Sequence, residues 1–367
     1  MEITAAVLEN VGEDFTLTQL TLGEPAPDEV VIKVAGVGLC HTDLAVQHGH
    51  LPFMFPGVVG HEGSGTVVSI GAAVSKVSVG DLVAATFNSC GKCTPCSTGT
   101  PGYCAEFMPR NLGGTRPDGT TTLSQDGQPI GSNFFGQSTF ATHAIARERN
   151  VIKVPAGLDI ALAGPLGCGV QTGAGAVMNS LACPAGSSLL VTGGGSVGLS
   201  GVLGAVVRGV KTIIVVEPLA SRRELALSLG ATHAIDPSES PIVEQVRAII
   251  PEGVGYALDT TAALPVLEGV IASLAQHGTL GMVGVPSDPT GELSLGLMEM
   301  QIRGLTFKGI VEGDSDPDRF IPELIALHLE GKFPFDKLIT TMPFAKINDA
   351  VAAQARGEAV KVVLVHE

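Results

Sequence analysis

Apolar positions along the chain fall into two regimes. Up to about residue 150 they come in short runs, Ile3–Leu8, Phe15–Leu22, Val30–Val37 and Thr66–Ile70. Turn formers such as the segment 23–28 (Gly-Glu-Pro-Ala-Pro-Asp) and Gly80-Asp81 separate them. Runs of this length between such breakers read as strands, and many of them predict a partly open barrel or a sandwich. The stretch from Arg110 to Gln137 is rich in Gly, Thr, Asp and Pro and predicts a long surface excursion. Phe134-Phe135 then lead back into an apolar segment at Phe140–Ile145.

The second regime starts near residue 187. Ser187–Thr192 is a compact strand-like run, followed by a glycine cluster, a helix-like apolar stretch to Val207, and a second strand at Thr212–Val216. Helix-like and strand-like runs keep alternating: Arg222–Leu229, Ala234–Ile235, Ile242–Ile250, Tyr256–Asp259, Pro265–Ala275 and Thr279–Val283. That alternation predicts a doubly wound parallel sheet with helices on both faces, an α/β unit. From Leu305 the alternation breaks, with a helix-like Pro322–Leu329 and a β run Val360–Val365 that are expected to return to the N-terminal unit. The predicted domains are 1–169 with 305–367, and 170–304.

A length of 367 residues agrees with about two domains. The net charge of −15, from 21 basic and 36 acidic residues, argues against nucleic acid or an anionic membrane surface as partner. Glu2, Glu9, Glu13 and Asp14 give the N-terminus neither a basic signal-peptide start nor an Arg-rich transit peptide. The longest apolar stretch, Val197 to Val216, is interrupted by Arg208 and Lys211, too soon for a membrane span. A reducing cytoplasm is therefore expected. There, clustered cysteines read as metal ligands in preference to disulfides.

Six of the seven cysteines stand in metal-like contexts. Cys40 precedes His41-Thr42-Asp43, His61-Glu62 lie among glycines, and Cys168 sits in Gly167-Cys168-Gly169. Two cysteines and one histidine make a three-ligand zinc set that leaves a position open for water or substrate. Cys90, Cys93, Cys96 and Cys104 are dense enough to wrap a second zinc in a closed, structural four-sulfur site. Gly193, Gly195 and Gly198 match G-x-G-x-x-G between a strand and a helix, with acidic Glu217 at the end of the next strand. This is the dinucleotide-binding pattern, and Glu217 would accept the ribose hydroxyls and repel a 2′-phosphate, favouring NAD. Arg222 and Arg223, just beyond, keep NADP open. Plainer readings stand beside these: Thr42 as a helix cap, His41 and His48 as solvated loop residues, Glu62 as the partner of a nearby cation, Lys361 as an edge-strand charge, and Cys183 as a core thiol.

Taken together, Cys40, Gly60-His61-Glu62, the cysteine quartet, Cys168 and Gly193–Gly198 occur in an order that resembles the zinc-dependent alcohol dehydrogenases of the medium-chain dehydrogenase/reductase superfamily. Cys40-His41-Thr42-Asp43, Gly114–Gly119 and the 135–140 segment (Phe-Gly-Gln-Ser-Thr-Phe) are similar to the aryl (benzyl) alcohol branch, which includes geraniol-type enzymes. The resemblance implies a GroES-like domain plus a Rossmann domain, two zinc ions and NAD per subunit, and a cytoplasmic dimer or tetramer. It implies that Cys40, His61 and Cys168 ligate the catalytic zinc, and that Asp43 orients His61. Glu62 would lie beside the metal and assist ligand exchange. Thr42 would bond the substrate oxygen and start a proton relay. Thr172 and Lys361 would contact the nicotinamide half of the cofactor, and His41 stands where relatives carry an arginine on the pyrophosphate. The relatives' relay histidine is replaced by Ala45, so the proton passes either to His41 or to solvent.

The function expected from these residues is reversible oxidation of an aromatic or allylic primary alcohol to an aldehyde, with Phe87 and the residues after Asp43 lining an apolar pocket. Two alternatives remain at this level. One is a formaldehyde-type dehydrogenase acting on a thiol adduct. The other is a nucleotide- or metal-binding protein without turnover, against which the complete Cys40/His61/Cys168 set argues.

Overall fold

In the computed structural model, which describes residues 1–286 and 290–366, the short apolar runs of the N-terminal half become strands. They are β1 (Glu2–Val7), β2 (Thr16–Leu22), β3 (Glu29–Gly38), β4 (Gly63–Ile70), β5 (Leu82–Ala85), β6 (Leu123–Gln125), β7 (Gln128–Ile130), β8 (His143–Arg147) and β9 (Val151–Lys153). β1, β2, β6 and β7 form a four-stranded antiparallel sheet in that order. Its inner face joins a core that includes Leu20, Leu22, Phe134 and Phe140, all essentially inaccessible. Each such side chain contributes roughly 1.5–3 kcal/mol by leaving water.

The Arg110–Gln137 stretch is a surface excursion only in part: residues 117–120 form an exposed turn and 126–129 an exposed hairpin tip, whereas its last eight residues go inside. It opens with a helix, Phe107–Leu112, and contains the hairpin β6–β7. Residues 130–141 are then buried without a break. Polar side chains there are tolerated inside because they bond to inner backbone, as Ser132 Oγ does by accepting from Thr122 N at 2.9 Å.

The second unit comprises Gly169–Ser315 and Gly331–Leu338. Its strands are β10 (Ser188–Thr192), β11 (Thr212–Val216), β12 (His233–Ile235), β13 (Val254–Asp259), β14 (Leu274–Met282) and β15 (Thr306–Gly309). They pair in parallel in the order β12-β11-β10-β13-β14-β15. Leu189, Leu190, Val191, Ile214 and Val215 are fully buried. Helices cover both faces of such a sheet, so its central strands read as continuous apolar runs and do not alternate. Cys183 is a core thiol, and burial pushes it up to about 12.

The domain boundaries differ from expectation by one residue at Gly169, which opens the second unit, and by longer segments in two places. Residues 305–315 stay with the second unit because β15 is the sixth strand of the parallel sheet. Residues 331–338 do the same, with Phe333 and Phe335 fully buried. The first unit thus holds Met1–Cys168, Asp316–Glu330 and Ile339–Glu367. On its return the chain adds β16 (Ile339–Pro343) and β17 (Lys361–Val365), which complete a seven-stranded sheet ordered β16-β17-β3-β4-β5-β9, with β8 also on β3. β17 is therefore interior, paired with β16 on one side and β3 on the other, and Lys361 is not an edge-strand charge.

Helix Gly169–Gly175 packs on helix Ser196–Val207 through Gly173, where an added Cβ would lie 1.9 Å from the carbonyl oxygen of Val197. Gly173→Ala is expected to cost about 1–3 kcal/mol by overpacking, read as a lower thermal unfolding midpoint with the cysteine sites intact.

Candidate active site

One buried carboxylate assembles the first cluster. Cys40 ends the run out of β3 and is the N-cap of helix His41–Gln47. Asp43, in the first turn, accepts from Cys40 N at 2.9 Å through Oδ2. Its Oδ1 accepts from Gly60 N at 3.0 Å and pairs with His61 Nδ1 at 2.9 Å. Gly60 has φ +92°, and a Cβ there would lie 2.5 Å from Phe140 N, so only glycine makes this turn. Cys168 arrives after the turn Gly164–Gly167, whose Gly167 carbonyl accepts from Thr86 Oγ1 at 2.7 Å. The ligand atoms of Cys40, His61, Glu62 and Cys168 all lie within 4.8 Å of one another.

The chemistry of this donor set suits zinc. Nε2 of His61 is buried and makes no hydrogen bond, while Asp43 fixes the opposite nitrogen, the arrangement of a metal-bound histidine. A hydrogen bond from Cys168 holds the Cys40 thiol well below its ordinary range, against burial, and Lys361 and His61 add to the effect. Burial opposes a proton on His61, yet Asp43 and the Cys40 sulfur outweigh it and raise the imidazole well above its usual value. A field that attracts a proton so strongly attracts a metal cation for the same reason.

Cys90, Cys93, Cys96 and Cys104 likewise bring four sulfurs within 4.8 Å of one another. Backbone N–H groups already point at them: Cys90 N and Glu106 N donate to Cys104 Sγ at 3.2 and 3.4 Å, and Cys93 N to Cys90 Sγ at 3.4 Å. The Lys92 N–H above all brings the Cys90 thiol down to about 6. This set fits a closed tetrahedral zinc.

In the second unit the glycine turn follows β10. Gly193 has φ +92°, and a Cβ on Gly198 would lie 1.9 Å from the Gly193 carbonyl. Gly195 has nothing within 4 Å of where its Cβ would be, which leaves its backbone open to a phosphate at the helix N-terminus. Glu217 is buried at the end of β11 and held rigid, accepting from Gly194 N at 2.7 Å and Leu219 N at 2.9 Å. Arg222 packs its Cβ near Gly194. Arg223 is committed elsewhere, to Asp236 at 2.8 Å and to the Glu217 and Pro218 carbonyls.

Residues 26–156 match the model of the alcohol dehydrogenase GroES-like domain, and residues 196–328 that of the zinc-binding dehydrogenase. A geraniol dehydrogenase of Castellaniella defragrans is 48% identical over 98% of this chain and 97% of its own length. The crystal structure of benzyl alcohol dehydrogenase from Acinetobacter calcoaceticus superposes with a TM-score of 0.97, at 41% identity and 100% coverage of both chains. An alcohol dehydrogenase zinc-binding domain protein from Burkholderia ambifaria gives a TM-score of 0.97 at 44% identity, covering 100% of this chain and 99% of that one. The chain belongs to the zinc-dependent medium-chain alcohol dehydrogenase family.

Zinc and a nicotinamide dinucleotide are the groups this family implies, and both cysteine clusters and the glycine turn of this dehydrogenase are compatible with them. Several residues stand where the sequence did not place them. The Lys361 ammonium is engaged, donating to Leu39 O at 3.1 Å and paired with Glu62 at 2.9 Å. Burial opposes its charge, but Glu62 and the Cys40 sulfur prevail and raise it. Lys361 therefore anchors Glu62 beside the cysteine–histidine cluster and is the nearby cation that the plainer reading of Glu62 called for. Thr172 is buried and donates to Glu312 at 3.2 Å, a partner that no sequence pattern signalled. Thr42 is half-buried, its Oγ1 3.7 Å from Cys40 Sγ, and it is not the helix cap, which is Cys40. His41 and His48 are exposed, as solvated residues would be. Phe87 is buried, 5.9 Å from Phe107, and lines a small cavity with Ser89, Arg149 and Asp316.

Also missed from sequence is an aromatic shell on the histidine. Phe135 stacks on the His61 ring with centroids 4.6 Å apart and planes at 29°, and Phe134 meets it edge-on at 5.3 Å. Phe53 in turn meets Phe134 at 5.3 Å.

Elemental analysis is expected to find about two zinc ions per chain. Cys93→Ser should remove one and lower the unfolding midpoint. Cys40→Ala should remove the other while leaving the quartet loaded.

Proposed function

We propose that this dehydrogenase uses zinc and NAD to oxidise aromatic or allylic primary alcohols reversibly to aldehydes. The observation that carries the reading is the convergence of Cys40, His61 and Cys168 within 4.8 Å, with a buried, unbonded imidazole nitrogen among the sulfurs. Bound there, zinc supplies Lewis acidity that brings the alcohol's pKa toward neutrality, and the nicotinamide ring is the hydride acceptor. The side chains of Cys40, His61 and Cys168 hold the ion, and Asp43 keeps His61 in the metal-binding tautomer. Glu62, pinned by Lys361 at 2.9 Å, lies beside Cys40, His61 and Cys168, where it would assist ligand exchange. Thr42 would bond the substrate oxygen and, in taking its proton, pass on its own hydroxyl proton; Ala45 offers no carrier, so that proton goes either to the exposed His41 or to solvent.

An open apolar groove of about 490 Å³, lined by Pro52, Phe53, Met54, Met108, Pro109 and Leu112, supports the substrate class. Its Phe53 is linked through Phe134 to the His61 ring. Methionines there adapt to the shape of an apolar body. The similarity to a geraniol dehydrogenase and a benzyl alcohol dehydrogenase supports the same class. NAD is favoured because the rigid Glu217 carboxylate would repel a 2′-phosphate, and Arg223, neutralised by Asp236, is not available to bind one.

Self-association as a dimer or tetramer is supported by helix Leu297–Arg303, which exposes Leu297, Met298 and Ile302 at 71–84%. Beside it in sequence, β15 is an edge strand with one side unpaired among the described residues. Among the described residues no single helix is long and apolar enough to cross a membrane, and all seven cysteines are unpaired with one another as disulfides. A reducing cytoplasm, the setting expected from the sequence, is part of the same proposal.

The test is NADH formation with benzyl alcohol, geraniol, and formaldehyde plus glutathione, before and after chelation. Turnover of the two alcohols, lost on chelation, is expected. No turnover with either alcohol overturns the substrate class, and turnover only with the thiol adduct replaces it. Glu217→Ala removes acceptors worth about 1.5–3 kcal/mol, so kcat/KM for NAD should fall roughly 10- to 100-fold, and the preference over NADP should narrow.

A further inference from the structure

The segment from Asn133 to Phe140 takes no part in the chemistry above, yet its backbone is the most constrained near the site. Asn133, Phe135 and Ser138 have φ of 60°, 50° and 53°, and Gly136 between them has 69°. A non-glycine residue held left-handed costs of order 1–3 kcal/mol and persists only where its surroundings over-determine it. Those surroundings are the loop that carries His61. Ser138 Oγ donates to Val58 O at 2.6 Å and accepts from Phe134 N at 2.9 Å. Phe140 N donates to Val59 O at 3.0 Å, and Thr139 N to Gly60 O at 2.8 Å.

Gln137 is the centre of this frame. Its Nε2 donates to His61 O at 2.8 Å and to Thr86 O at 3.2 Å. Its Oε1 accepts from Gly63 N at 3.1 Å and from Thr139 Oγ1 at 3.2 Å. The side chain is 1% exposed and uses both ends of its amide. The link to Thr86 matters, because Thr86 Oγ1 donates in turn to Gly167 O, next to Cys168. A continuous set of short bonds therefore runs from the His61 backbone through Gln137 and Thr86 to the Cys168 turn. Phe135 completes the constraint from the other direction. Asp43 fixes the imidazole in its plane, and the stacked Phe135 ring fixes its face.

We propose that Gln137 and Phe135 are positioning residues that set the His61-to-Cys168 spacing and the imidazole's tilt, and thereby slow the loss of the ion held by Cys40, His61 and Cys168. The proposal rests on the zinc reading above. Gln137→Met keeps the shape and removes every bond the amide makes. Phe135→Leu keeps most of the bulk and removes the stacked ring. Zinc release from the purified enzyme into a chromophoric chelator is expected in two phases, one for each cluster. In both variants the phase lost in Cys40→Ala should quicken by about 10-fold or more, the scale found when groups supporting metal ligands are removed, and the quartet's phase should not move. With cobalt(II) in that site, the visible bands should shift in both variants.

A purely structural role predicts something else: lower unfolding midpoints with native release rates and native cobalt bands, and that result overturns the proposal. Should Gln137→Met fail to fold, Phe135→Leu reads the same quantities and decides alone. A native enzyme that carries only the quartet's zinc would instead overturn the zinc reading, which the ion count separates from failure of the proposal.

Discussion

The site depends on a carboxylate that never meets solvent. Asp43 is fully buried, and a buried ionised group costs several kcal/mol unless its lone pairs are satisfied. Three donors do so: Cys40 N, Gly60 N and His61 Nδ1, all at 2.9–3.0 Å. Because those donors come from a helix cap, a glycine turn and the imidazole, satisfying Asp43 brings Cys40 and His61 together. Around His61 stand Asp43, the low-lying Cys40 thiol and Glu62, whose carboxyl is pushed up by burial while Lys361 pairs with it. Two sulfurs, an imidazole and a carboxylate gathered this closely are compatible with a divalent cation.

The aromatic shell acts on this charge cluster. Phe134 and Phe135 lie against the His61 ring and exclude water from it. Charge interactions strengthen as the local dielectric falls: at 4 Å a pair worth about 1 kcal/mol in water is worth about 4 kcal/mol at an effective dielectric of 20. Asp43 and His61 therefore hold each other more firmly than the same pair would on a surface. The cost is carried by the backbone of Asn133–Ser138, where the left-handed residues sit. The strain and the metal cluster are thus parts of one construction.

Much of this was legible in the chain because its determinants are local. Gly193, Gly195 and Gly198 lie within one turn and Cys90 to Cys104 within one loop, and both form as their spacing required. The grouping of Cys40, His61 and Cys168 was legible through residue type, since two cysteines and a histidine in glycine-rich contexts have few other uses. What the chain did not disclose was non-local. Lys361 meets Glu62 across 299 positions of sequence, and no periodicity encodes that distance. β15 spans only Thr306–Gly309, too short a run to extend the alternation on paper, and so the boundary at 305 fell short of it.

Gln137 shows why composition misled over residues 130–137. Gly, Ser, Thr and Gln are the residues of exposed loops when their polar groups bond to water. The same groups bond equally well to inner backbone, and then they must be buried to do it. Gln137 bonds to His61 O, Gly63 N and Thr86 O, backbone groups around the cysteine–histidine cluster, and Asn150 Nδ2 shares the last of them at 3.3 Å. A sharp glycine turn that delivers a ligand necessarily breaks strand pairing and leaves such groups behind. Some polar segment therefore has to follow it into the interior. The loop-like sequence before Phe140 is the counterpart of the loop around His61, and neither could be placed without the other.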